Sequence, residues 1–149
     1  MLFCEQMGKS IKIEVANNAN SLAEVFKVRK EVFVLEQKVY EQEEYDAYET
    51  SSTHLAGIYD GRIAGTCRFR NTEQGIKLER FAVLKQHRAK GLGAALLYAA
   101  LQKVDLSQYV YLHAQIQVVD FYEKHGFKKV GEIFEEAGIK HYKMYYKPD

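Results

Sequence analysis

Gln86-His87-Arg88-Ala89-Lys90-Gly91-Leu92-Gly93-Ala94 is the stretch on which the reading of this chain turns. It follows an alternating strand pattern and opens an apolar helical one, so it is a strand-to-helix loop carrying basic side chains and two glycines. Glycine lets backbone N–H groups approach an anion without a Cβ in the way, and a helix N-terminus adds unpaired donors and partial positive charge. A pyrophosphate would fit there. The plain alternative is a glycine pair marking a tight turn among solvated charges. Two nucleotide motifs fail. A dinucleotide-binding fingerprint needs Gly where Leu96 stands, and an acidic residue where the chain has reached Tyr111 and Leu112. Gly8-Lys9-Ser10 suggests a phosphate loop, but its first glycine would fall on Phe3 and no strand precedes it.

Outward from the loop, the pattern alternates between the two hydrophobic periods. Upstream, Lys12–Val15 reads as an opening strand. Ser21-Leu-Ala-Glu24 reads as a capping box, with Leu22, Val25, Phe26, Arg29 and Phe33 behind it at helical spacing to about Gln37. An acidic stretch follows, with Glu41, Glu43, Glu44, Asp46 and Glu49 and no Lys or Arg among them; such a run reads as a solvated loop. His54–Tyr59 and Arg62–Arg70 flank Asp60-Gly61, a hairpin signal, and Ile76–Val83 adds a third strand after a turn at Asn71–Gly75. Downstream, Leu92–Val104 is too uniformly apolar for a surface helix. Tyr109–Ala114 predicts a strand, Val118–His125 a helix ended at Gly126, and Phe127–Phe134 with His141–Tyr146 a strand pair. The order β-α-β-β-β-α-β-α-β-β predicts one α/β domain, a mixed sheet with helices packed on it.

Composition excludes several classes. The 149 residues make one domain, and 21 Lys and Arg against 20 Asp and Glu leave a net charge of +1, no field for nucleic acid or an anionic membrane. Two cysteines, Cys4 and Cys67, offer neither a disulfide framework nor metal-ligand spacing. No apolar run spans a bilayer and the N-terminus lacks a signal peptide's stretch, so a cytoplasmic protein without metal is expected.

Several motifs in order carry a family resemblance over about Val25 to Met144. Leu78-Glu-Arg-Phe-Ala-Val83 followed by Gln86-x-Arg88-x-x-Gly91-x-Gly93 resembles the acetyl-CoA signature of the GNAT acetyltransferases, and Phe121-Tyr122-Glu-Lys-His-Gly126-Phe127 resembles their downstream motif. Arg29-Lys-Glu-Val-Phe33-Val-x-Glu36-Gln37, Asp46, His54, Leu112-His-Ala-Gln115 and Glu136-Ala-Gly138-Ile-x-His141 look like the marks of the ElaA/YjcF-like subgroup.

The resemblance implies a mostly antiparallel sheet splayed in a V, with helices on both faces. Phe81, Ala82 and Val83 would lie along a pantetheine arm, with backbone groups of Phe81 and Val83 pairing to it. Amides from Arg88 through Ala89, Lys90, Gly91, Leu92 and Gly93 to Ala94 would hold the pyrophosphate. Gln115 stands where the family usually has Asn, and Lys85 where many members have Pro. Acetyl-CoA is the implied cosubstrate. Tyr122 occupies the position of the family's proton donor to the departing thiolate; read alone, it is one of 11 tyrosines packing a ring. A thiol ionises near a pKa of about 8.5 and a tyrosine near about 10, so the transfer is reasonable when water is kept out.

On the acceptor side, Glu79 is a candidate base, and equally a cross-strand ion pair with Arg68 or Arg70. Strand alternation places Glu79 with Phe81 and Val83, away from Arg80. Arg68 and Arg70 could clamp an anionic group of the substrate, and His141 could face it, although His54, His113 and His141 also read as structural histidines. The implied activity is acetyl transfer by direct attack, in a ternary complex, of a small-molecule primary amine, an amino sugar phosphate being one candidate. Two alternatives stay open: a protein or peptide acceptor, supported by the acidic stretch alone, and a CoA-binding module without catalysis. A homodimer also stays open.

Overall fold

The computed structural model describes residues 11–149; Cys4 and Gly8-Lys9-Ser10 lie outside the described residues. The chain runs through β1 (Ile11–Val15), α1 (Ala19–Arg29), β2 (Thr53–Tyr59), β3 (Arg62–Asn71), β4 (Ile76–Val83), α3 (Leu92–Lys103), β5 (Val110–Gln115), α4 (Val119–Lys124), β6 (Phe127–Glu136) and β7 (Ile139–Tyr146), with a short α2 (Glu41–Glu44) between α1 and β2. Seven strands form one sheet in the order β1-β2-β3-β4-β5-β7-β6, and every pairing is antiparallel except β4 with β5. α3 and α4 cover one face over the main core of Leu55, Leu78, Leu96, Leu112 and Met144. α1 covers the other through Val25 and Val28. No helix among the described residues is long and apolar enough to cross a membrane.

Local signals placed most elements. Asp60 and Gly61 both take positive φ, the geometry that joins β2 to β3. Two expectations are corrected. The cap of α1 is Asn18, whose side chain accepts from the Ser21 backbone N–H at 2.9 Å while Ser21 Oγ faces the Asn18 backbone N–H. Asn18 starts the helix one turn earlier because its side-chain carbonyl reaches that amide directly. Beyond Arg29 the helix widens into a π-type turn over Lys30–Glu36, closed by Gln37 N–H on Val32 O at 3.0 Å.

The larger correction concerns the acidic stretch, which is not a solvated loop. Arg29, fully enclosed, donates to both Glu44 and Glu49, its Nη1 reaching Glu49 Oε1 at 2.8 Å. Arg68, also enclosed, reaches Asp46 at 2.7 Å, Glu49 at 2.8 Å and Glu79 at 2.8 Å. Arg80 joins Glu44 at 2.9 Å and Asp46 at 3.2 Å. These carboxylates neutralise arginines from α1, β3 and β4, so Glu44, Asp46 and Glu49 are folded against the sheet, while Glu41 and Glu43 stay exposed. Burial alone would raise the Asp46 pKa, but hydrogen bonds from Arg68 and the Tyr48 amide outweigh it and hold the group at about 2.

Removing one partner from such a cluster leaves buried charge uncompensated. Arg29→Ala is expected to destabilise the fold by about 3–5 kcal/mol in denaturant unfolding; a change under about 1 kcal/mol would contradict this account. Because the folded pKa of Asp46 lies below its ordinary 3.8, its contribution is present above that value and is lost as pH falls through about 2. Melting temperature against pH should therefore fall less steeply in Asp46→Asn than in the parent over this interval.

Candidate functional site

β4 and β5 pair only from Ile76↔Val110 to Leu78↔Leu112. Past that point β4 stays with β3, and β5 stays with β7 as far as Gln115↔His141. Glu79–Val83 and His113–Gln115 are therefore the two lips of a slot. Leu84 N–H bonds Ala64 O on β3 at 2.9 Å, so alternation turns the polar groups of Ala82 toward β3 and those of Phe81 and Val83 into the slot. Ala82 itself packs against Val28 and Val32 under α1, which makes it part of the slot's support.

Strand alternation does not survive across Arg80. This residue takes φ 58, and the register shifts between Thr66↔Ala82 and Arg68↔Glu79. The bulge sets Glu79 among the charges on the α1 face, while Phe81 and Val83 pack toward the core under α3. The expected grouping of Glu79 with Phe81 and Val83 is thus corrected by one inserted residue.

The loop after β4 passes through a short 3-10 turn (Lys85–His87), Ala89 at φ 63 and Gly91 at φ 90, where α3 begins. A Cβ on Gly91 would meet only Ile11 Cδ1, at 3.7 Å, so the concave side of the bend is open. The amides of Leu92, Gly93 and Ala94 precede the first intrahelical bond, Ala95 N–H to Gly91 O. Arg88 is committed elsewhere: its amide bonds Lys85 O, its Nε bonds Val83 O at 2.9 Å, and its fork grips Glu36 at 2.6 and 2.7 Å. The helix start is seated by two paired glycines, Gly57 and Gly65, where an added Cβ would lie 3.0 Å from the Leu92 side chain.

Tyr122 is buried beside Phe81 of the β4 lip, its ring edge-on to Phe81 at 5.9 Å and to Phe127 at 5.9 Å. Burial pushes its hydroxyl above the ordinary tyrosine range, so it keeps its proton at neutral pH. Glu79 forms the ion pair read from sequence, and with both arginines at once: Arg68 at 2.8 Å, Arg70 at 2.7 Å, and Lys77 besides at 3.2 Å. Burial would raise its pKa, yet these cations bring it below the ordinary carboxylate value. Arg68 is enclosed and cannot reach a substrate, which corrects its assignment as a clamp; Arg70 also lies 3.8 Å over the Tyr48 ring. Gln115 donates to Gln37 Oε1 at 2.9 Å, tying the lip of β5 to the end of the π-type turn. His141 is buried, its Nδ1 2.7 Å from Ile139 O and its ring stacked on Phe134. The pairing of His113 Nδ1 with Glu136 at 3.1 Å had no signal in local sequence, since β6 lies 23 positions away. Among the described residues no cluster of three His, Cys, Asp or Glu is placed to hold a metal.

The model of the acetyltransferase (GNAT) domain matches residues 13–148. The uncharacterized N-acetyltransferase YjcF of Bacillus subtilis is 41% identical over 140 residues, covering 90% of this chain and 98% of that protein. A solved acyl-CoA N-acyltransferase from Pseudomonas aeruginosa superposes with a TM-score of 0.79 at 28% identity, over 91% of this chain and 98% of that one. Escherichia coli ElaA superposes at 0.82 with 23% identity, over 92% and 99%.

The glycine seat yields a test. Gly65→Ala places a methyl 3.0 Å from Leu92, 3.1 Å from Leu96 and 3.2 Å from Ala82 O, so unfolding should show a loss of about 1–3 kcal/mol from overpacking. Unchanged stability would mean that α3 is not pressed onto this pair.

Proposed function

As a member of the GNAT acetyltransferase family this chain is an acetyltransferase, and we propose that it moves the acetyl group of acetyl-CoA to the primary amine of a small molecule by direct attack in a ternary complex. The observation that carries this reading is the parting of β4 from β5 beside a glycine-opened helix start. The backbone groups of Phe81 and Val83 offer one strand edge to an extended amide-bearing arm, and Gln115 borders the opposite lip. The amides from Ala89 through Lys90, Gly91, Leu92 and Gly93 to Ala94 cradle the pyrophosphate; that of Arg88 bonds Lys85 O, and its side chain braces the loop against Glu36. Acetyl-CoA supplies the thioester carbonyl. Tyr122, protonated and shielded from water, donates to the departing thiolate.

A small amine is favoured over a peptide because three of the five acidic side chains that would draw a cationic chain, Glu44, Asp46 and Glu49, are neutralised internally by Arg29, Arg68 and Arg80. An amino sugar phosphate heads the acceptors to screen, its phosphate falling to Arg70 and Lys77 rather than to the enclosed Arg68.

Thiol release from acetyl-CoA across a panel of small amines and amino sugars tests the activity. Tyr122→Phe should lower turnover by about 10²–10⁴-fold while calorimetric affinity for acetyl-CoA stays within about twofold, since uniform binding is untouched. Unchanged turnover would remove Tyr122 from the chemistry. Binding without thiol release from any amine would identify a CoA-binding module, and a flat acetyl-CoA titration would overturn the reading altogether.

A further inference from the structure

Direct attack needs a neutral amine, so some group must take a proton from the ammonium that enters. The last paired residues of the parting strands, Leu78 and Leu112, both point into the core under α3. The next residue on each lip, Glu79 on β4 and His113 on β5, therefore points to the opposite face, where an acceptor can approach. Glu79 is held by Arg68, Arg70 and Lys77, and a carboxylate in that company is a poor proton acceptor.

His113 has the complementary surroundings. Its Nδ1 lies 3.1 Å from Glu136 Oε1, and Phe134 of the same strand meets its ring edge-on at 4.9 Å. The residue opposite it on β7 is Lys143, whose ammonium is drawn off to Gln74 and over the rings of Tyr109 and Tyr111. His113 bonding first, against burial, holds the Glu136 carboxyl at about 2, so the carboxylate is present throughout the neutral range. An ionised carboxylate accepts only, so in the neutral imidazole Nδ1 carries the proton and the lone pair resides on Nε2. His141 borders the same carboxylate less closely, its Nε2 3.9 Å from Glu136 Oε2 and its Nδ1 2.7 Å from the Ile139 carbonyl.

We propose that His113, oriented by Glu136, is the base that takes the proton from the acceptor ammonium. This rests on the acetyl-transfer reading above. Nε2 accepts the ammonium proton, and the freed nitrogen pair forms the N–C bond to the thioester carbonyl. The C–S bond then breaks with its pair on sulfur, which takes the Tyr122 proton, and the surplus proton of the new amide nitrogen restores Tyr122. One proton leaves to solvent from His113, which balances ammonium plus thioester against amide plus thiol.

Two near-isosteric probes separate base catalysis from support. Ethylamine is an ammonium at neutral pH, whereas trifluoroethylamine is already neutral and needs no base. His113→Gln should slow thiol release with ethylamine by about 10²-fold and with trifluoroethylamine by less than about threefold. Equal losses with both, or no loss, overturn the proposal. Silence of the parent protein with both amines means that neither is an acceptor, whereas a flat acetyl-CoA titration marks the failure of the acetyl-transfer reading; a second measurement then decides the proposal without turnover. In the parent, nitrogen-15 NMR should find the neutral His113 proton on Nδ1, and Glu136→Gln should abolish that preference. A parent proton on Nε2, or a tautomer indifferent to Glu136→Gln, overturns the proposal.

Discussion

Two neighbouring strands stop exchanging hydrogen bonds beyond Leu78 and Leu112, and the arrangement of the rest of the molecule follows from that interruption. Backbone donors and acceptors in a sheet interior demand partners, so a slot between strands is stable only if its lips are held from outside and its groups meet water or a ligand. Here β3 holds the lip of β4 through an antiparallel ladder interrupted only by the bulge at Arg80, and β7 holds the lip of β5 through an unbroken one. The bulge at Arg80 then turns the lip of β4, so that the slot presents the backbone of Phe81 and Val83 while the charged groups stay on the other face.

That bulge is tied to the buried charges. Arg80 adopts a left-handed backbone that a long side chain rarely takes, and its guanidinium ends between Glu44 and Asp46. The same carboxylates receive Arg29 and Arg68, so α1, the segment after it and two strands are joined by one network. A network of this kind adds little net stability over an apolar core, but it tolerates few alternative arrangements. It explains why Glu79 is so heavily neutralised.

Much was legible beforehand. The helix after Gly91, the Asp60-Gly61 hairpin and the glycine-rich bend carry their signals within a few residues, because capping, turn geometry and hydrophobic period are local properties. The acidic stretch was misread for the same reason. A charge run read in isolation has no visible partner, and its partners lie 15, 22 and 36 positions away. Glu79 shows the limit from another side: period-two alternation is sound until a bulge inserts one residue, and nothing around Arg80 announces it.

The residues alone determined the kinds of element, their order and the glycine-opened bend before α3, since each depends on backbone preferences expressed over a turn or two. Only the tertiary structure decided which side chains are occupied. Arg68 is enclosed by three carboxylates, Arg88 is clamped to Glu36, and His113 meets Glu136 because β6 returns beside β7. Whether a charged group is free for chemistry or already neutralised depends on distances between segments far apart in the chain, and those distances are set by packing.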